Sequence, residues 1–242
     1  MWGDLFEFNR YTLIPEREKS RQFLLDFFSD ISIPSYVIPG NVDFPLTVGV
    51  LEELQSKGLL TMLSLEPISF SENISLRGYP LINASPFRRK DFERRDLAAD
   101  DVESRADAFI TDMDGAAAPV PTQYLNTLPS IEEDLAKVQQ TTANEIVVMH
   151  APPFNTPLDV VHHGQHVGSV AIRNYLVQHQ PVISLHGHIH ESPAVSGMWW
   201  SYLDKTVCVN PGQGENLHAV VCTMIDLKIR ELHHTIYGSA SL

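Results

Sequence analysis

Cysteine is nearly absent from this 242-residue chain, which has only Cys208 and Cys222. Each lies in an apolar, β-like run, TVCVN and AVVCTMI, so both read as small buried hydrophobes rather than parts of a disulfide framework or a thiolate metal site. So little cysteine fits a reducing compartment, and the expected location is cytoplasmic. Basic side chains are scarce too: 17 Lys and Arg stand against 30 Asp and Glu, a formal charge of −13. A field of that sign repels phosphate backbones and anionic lipid, so neither nucleic acid nor a membrane is expected as a partner. Long apolar runs are missing as well. No stretch approaches the roughly 18 to 20 residues needed to cross a bilayer, and MWGDLFEFNR does not read as a secretory signal.

What is present is the alternation of an α/β protein, long enough for one large core, and a single domain over residues 1–242 is expected. EREKSRQFLLDFFSD places Phe23, Leu24, Phe27 and Phe28 on a helical period as a core stripe, and LTVGVLEELQSKG repeats the helical pattern up to Gly58. SYVIPGN reads as a buried strand ending in a loop, and TMLSLEPISFSENISLRGYP as strands joined by polar turns. Between about residues 84 and 130 the pattern weakens into an irregular lobe. There RRKDFERRD reads as a solvated charged face rather than as arginines presented to a phosphate. Regularity returns with a helix over Ile131 to Gln140, the strand NEIVVMH, a long loop, a helix N-capped by Ser169, the strand PVISLHGH and consecutive β segments to the end.

Three buried-looking strands end directly in metal-competent side chains. YVIPG leads to Asn41, IVVM to His150, and VISL to the cluster of His186, His188 and His190. A fourth instance opens the chain, where Asp4 precedes LFEF. In α/β sheets ligands bind beyond the carboxyl ends of the strands, so these residues are expected to converge. Residues i and i+2 of an extended segment share a face, which would set His188 beside His190. Imidazole, amide and carboxylate donors together suit Mn²⁺, Fe²⁺ or Zn²⁺. His186 reads as a hydrogen-bonding support for its neighbours.

In order and context, GNVD (Gly40 to Asp43), the run ending HAPP (His150 to Pro153) and GHIH (Gly187 to His190) resemble the blocks of calcineurin-like metallophosphoesterases. Gly3-Asp4 fits the block before them. The resemblance is nearest to prokaryotic-type members carrying HVGS-x-AIR (His166 to Arg173), LHGHIHESP and NPGQ (Asn210 to Gln213). It implies a four-layer α/β/β/α sandwich of two mixed sheets around a two-metal site. Asp4 would bridge the metals, Asn41, His150 and His188 would complete one of them, and His190 would bind the other. Metal-activated hydroxide would then hydrolyse a small phosphomonoester or phosphodiester.

Two departures qualify that implication. The family's opening D-x-H block is missing, and with it two ligands, so the expected complement is two divalent ions or only one. The expectation that follows is that Met1 is a shortened start within a longer enzyme whose first strand precedes it. Val42 also stands where many relatives carry the histidine that protonates the leaving group, a role worth on the order of 10² to 10⁴ in rate. His163 and His166, in VHHGQHVGS, are the candidate substitutes. The rival expectation is a non-catalytic scaffold of the same fold, with its metal site turned into a binding surface.

Overall fold

The computed structural model describes residues 13–139, 144–213, 221–228 and 230–242. Helix α1 (Leu13–Asp30) buries Leu24 and Phe28, four residues apart on one face, against Val37, Leu51 and Leu54. Phe23 points about 100° away from Leu24 and is 64% exposed. The expected core stripe therefore loses its first member: Phe23 falls on the solvent side of the face that Leu24 and Phe28 bury, whereas Leu25 and Phe27 still pack at its margin.

Strand β1 (Tyr36–Val37), helix α2 (Pro45–Ser56) and strand β2 (Thr61–Met62) form a β-α-β unit. The strands are parallel, with Tyr36 opposite Thr61 and Val37 opposite Met62. Pro45 opens α2, where a missing N–H costs nothing, and Gly58 ends it at φ +71°. This unit leaves the loop carrying Asn41 at the carboxyl end of β1.

A hairpin of β3 (Ile68–Ser71) and β4 (Ile74–Tyr79) leads into the lobe. The lobe is less irregular than its sequence implies. It pairs β5 (Ile82–Asn83) with β6 (Glu93–Arg94), and β7 (Ala108–Thr111) with β8 (Ala117–Val120), before a 3₁₀ helix over Thr122–Thr127. Nor is RRKDFERRD a solvated face. Lys90 and Glu93 are both buried and 2.7 Å apart, and Ser85 gives Glu93 two further hydrogen bonds through its N–H and its hydroxyl. A buried ion pair persists only where its remaining donors and acceptors are met in this way.

Then come α3 (Ile131–Leu135), β9 (Glu145–Met149), α4 (Val170–His179), β10 (Ile183–Leu185), α5 (Ser192–Ser196), β11 (Trp200–Leu203) and β12 (Thr206–Val209). Helix α3 stops five residues short of the expected Gln140, which itself lies outside the described residues. Ser169 caps α4 as read from the sequence, its hydroxyl accepting from the Ile172 N–H. The chain closes with an antiparallel sheet of β13 (Thr223–Asp226), β14 (Glu231–His234) and β15 (Gly238–Ser241). Cys208 is buried as expected, but Cys222, just before β13, is exposed. Strand β13 starts only after it, at Thr223.

Six strands make the main sheet in the order β11-β12-β10-β9-β4-β3, with β12, β10, β9 and β4 parallel and antiparallel strands at both edges. Alternation splits its residues between two cores. Val147, Met149 and Cys208 face Ile172 and Leu176 of α4. Leu76 and Val148 face the other way and pack on Ile38 and Leu63, which flank the β1–β2 pair. That pair is covered in turn by α1 and α2, while Leu232 of β14 packs against Val207 and Val209 further along the same face. The result is the α/β/β/α layering. No helix among the described residues is long and apolar enough to cross a membrane.

The two β layers approach one another closely at Gly78. A Cβ built there would lie 2.4 Å from Leu63 Cβ and 2.7 Å from Ile38 Cγ2. Gly78→Ala is therefore expected to cost about 1–3 kcal/mol by overpacking the interlayer core, and urea unfolding of the two proteins measures it.

Candidate metal centre

Parallel register sets the site. Val148 of β9 lies opposite Leu185 of β10, and Leu185 opposite Val209 of β12. Two residues on, the same register brings His150 level with Gly187, whose N–H donates to the His150 carbonyl at 3.0 Å. The His150 N–H donates in turn to the Tyr79 carbonyl at the end of β4, also at 3.0 Å.

His186 pins these strand ends together. Its imidazole is fully buried, with Nδ1 at 2.9 Å from the Ala151 carbonyl and 3.1 Å from that of Met149, and Nε2 at 2.7 Å from Ser184 Oγ. Carbonyls only accept, so Nδ1 carries the proton and Nε2 accepts from the Ser184 hydroxyl. Burial pushes its pKa down to about 4, against the pull of the two carbonyl bonds. His186 is a neutral strut with both ring nitrogens engaged.

The chain does not stay extended past it. Strand β10 ends at Leu185, and His188 sits at φ 62° with the Ile189 N–H bonded to the Gly187 carbonyl at 2.7 Å. This is the strained form of the γ-turn, centred on a residue with a bulky side chain. The alternation argument that would place His188 beside His190 therefore fails here. Instead the turn carries the His188 ring to 5.3 Å, centroid to centroid, from that of His150.

Asn41 arrives from the other β layer. Its Oδ1 lies 2.9 Å from His150 Nε2 and 2.8 Å from His188 Nδ1. Metal bonds to nitrogen and oxygen of roughly 2.1 Å place neighbouring ligand atoms roughly 3 Å apart, so each histidine nitrogen stands at ligand-to-ligand spacing from Asn41 Oδ1. Sequence reasoning passed over Asp43, which holds this loop. It is fully buried, and its Oδ2 accepts from the Gly40 N–H at 2.7 Å. An aspartate two residues past a strand-ending Gly-Asn is the available signal.

The remaining site residues fall differently. Asp4 lies outside the described residues. The carbonyl of His190 accepts from the Gln213 N–H at 3.0 Å, tying GHIH to the NPGQ turn. His163 is exposed on the loop between β9 and α4. On the same loop His166 Nδ1 lies 2.7 Å from Asp159 Oδ1. Asp159, also missed in the sequence, is fully buried and accepts from the N–H groups of Asn155, Thr156 and Gly168. Among the described residues no group of three or more His, Cys, Asp and Glu side chains has a metal-binding arrangement; the trio above includes an amide.

A profile of the calcineurin-like phosphoesterase family matches residues 1–192. The chain belongs to that family. Calcineurin-like phosphoesterases are generally hydrolases that use divalent metals. An uncharacterised protein of Methanocaldococcus jannaschii is 29% identical over 178 residues, which are 72% of this chain and 62% of that protein. The matched stretch thus spans less than two thirds of its relative's length. One crystal structure superposes with a TM-score of 0.59 at 15% identity, covering 94% of this chain and 76% of the other, a likeness of fold. A Thermus thermophilus protein superposes at 0.49 with 15% identity, covering 91% and 78%.

Two outcomes follow. His186 is buried neutral, so its contribution to stability is complete above its ordinary pKa of 6.5 and is lost as pH falls from there toward 4. The pH dependence of urea unfolding in that window should shrink in His186→Asn, by about 3 kcal/mol at most. At position 188 the γ-turn penalises any side chain. Metal-free His188→Gly should therefore be more stable than metal-free His188→Ala by about 1–2 kcal/mol, although both lack the imidazole; thermal unfolding in chelator compares them.

Proposed function

We propose that this calcineurin-like phosphoesterase is a metal-dependent hydrolase of a small phosphomonoester or phosphodiester, with Asn41, His150 and His188 holding one divalent ion. The observation that carries the reading is the approach of His150 Nε2 and His188 Nδ1 to Asn41 Oδ1, at 2.9 and 2.8 Å, from strand ends of two different β layers. Neutral imidazole and amide oxygen suit Mn²⁺, Fe²⁺ or Zn²⁺. Asp4 and His190 are assigned to the same centre by their motifs, with a second ion where they complete it. A bound divalent ion supplies activation of water and screening of the phosphate charge.

The chain's own residues supply the rest. Asn41 and the two histidines approach from opposite layers and fix where the phosphate is held. Val42 has no proton to give, so the leaving group needs another source. His166 fills that role in this reading. With Nδ1–H donated to the buried Asp159 carboxylate, its Nε2 is the atom left to carry a proton. His163 is the weaker candidate, since no hydrogen bond among the described residues orients its ring.

Hydrolysis of a chromogenic phosphodiester and its monoester, with and without added Mn²⁺, tests the reading. Mn²⁺ should stimulate turnover, and Asn41→Ala or His188→Ala should lower it by at least about 100-fold. His166→Gln should cost about 10²-fold with a poor leaving group and far less with nitrophenolate. Metal-stimulated turnover unchanged in Asn41→Ala and His188→Ala would remove the site. A chain that binds no metal would leave the non-catalytic scaffold.

A further inference from the structure

Arg89 of the lobe reaches the candidate metal centre. Arg89 Nη2 donates to the main-chain carbonyl of Asn41 at 2.7 Å, and the guanidinium carbon lies 4.0 Å above the Phe44 ring. Its Nε is 3.8 Å from Asp91 Oδ2, and the side chain is 17% exposed. Asp91 is held in turn by the N–H and hydroxyl of Thr111. The backbone around Arg89 is fixed as well: Phe109 of β7 donates to the Arg88 carbonyl and accepts from the Lys90 N–H. Its charged neighbours are directed elsewhere. Arg88 bonds the Asp107 carbonyl, Lys90 pairs with Glu93, Arg94 bonds the Glu93 carbonyl, and Arg95 bonds those of Ala98 and Leu128. Among the described residues, Arg89 is the one basic side chain of this run with a hydrogen bond to the loop between β1 and α2.

We propose that Arg89 is a positioning residue of the metal centre, fixing Asn41 through its carbonyl so that the lobe becomes part of the site. The proposal rests on the metal-centre reading above. Two rotatable bonds separate the Asn41 backbone from Oδ1, while metal sites hold their ligand distances to within about 0.2 Å. Asp43 restrains the loop from inside through the Gly40 N–H, and Arg89 restrains it from the lobe side. Without the second restraint the loop retains its fold, but the amide oxygen is no longer held at one place between the histidines. The guanidinium also sets a fixed positive charge one residue from Val42.

Calorimetric titration of Mn²⁺ into the full chain tests this, using wild type, Arg89→Met, Arg89→Lys and the control Arg95→Met, which removes a lobe arginine bonded to Ala98, Leu128 and Glu133 and not to Asn41. Arg89→Met should bind Mn²⁺ about 10- to 100-fold more weakly, the range for partners that orient ligands. Arg89→Lys, which keeps one donor and the charge, should recover part of the loss. Arg95→Met should lower the melting temperature while Mn²⁺ affinity stays within about threefold of wild type. In turnover, the Arg89→Met defect should appear as a raised Mn²⁺ requirement, with kcat recovering at saturating metal. Affinity within threefold of wild type in Arg89→Met, or an equal loss in Arg95→Met, overturns the proposal while the phosphoesterase reading stands. If Arg89→Met does not fold, the Mn²⁺ affinity of Arg89→Lys decides, and a value equal to wild type overturns it. A wild-type chain that binds no Mn²⁺ removes the reading and the proposal together.

Discussion

Hydrogen bonding of β9 to β10 in parallel register sets where both histidines of the trio can be. Each strand is short, five residues and three, and short strands fray unless something holds their ends. The bond from Gly187 to the His150 carbonyl and the His186 strut provide that hold. A neutral, fully bonded imidazole costs far less to bury than a charged one. The strut is therefore inexpensive at neutral pH, and it leaves His150 and His188 to face the opposite layer. Strain collects at the one residue that must leave the strand geometry, His188, and strained backbone is found where a side chain has to point against the local chain direction.

The third donor belongs to another layer, which makes the site depend on how closely two sheets pack. Gly78 permits the approach of Ile38 and Leu63, and Ile38 is three residues from Asn41. A ligand held between the layers would then join the two halves of the core and would stabilise the folded state by mass action. The affinity of a metal bound there would report on the same interlayer geometry.

Much of this was legible in the sequence, for a simple reason. A strand buried on both faces is apolar throughout, so a histidine or asparagine at its end stands out, and Asn41, His150 and His188 were found that way. The layering followed from the ordered motifs. What was not legible depended on tertiary pairing. RRKDFERRD has the composition of a solvated face, and only the fold buries the local Lys90–Glu93 pair and brings Arg89 onto Asn41. The side-by-side placement of His188 and His190 assumed an extended chain, and a single positive φ removes that premise. Asp159 was overlooked because one aspartate in a long loop has no period to mark it, and its role comes from three N–H groups that converge only after folding.

The same loop shows how an exposed histidine can still be precisely held. Ser169 and Phe154 close the loop's base through the Pro152 and Ser169 carbonyls, and Gly168 sits so close to Pro152 and Asp159 that no Cβ would fit. Asn210 donates to the carbonyls of Leu158 and Ile189, tying this loop to the segment that carries His188 and His190. Proton transfer asks for two properties that oppose each other: a ring accessible to the leaving group, and a ring that does not wander. At His166 the two are divided between its nitrogens, with Nδ1 fixed to a buried carboxylate and the rest of the ring toward solvent. His163 has the exposure without the anchor, and Val42 has neither donor nor acceptor. Of Val42, His163 and His166, it is His166 that combines a partly exposed ring with an anchored nitrogen.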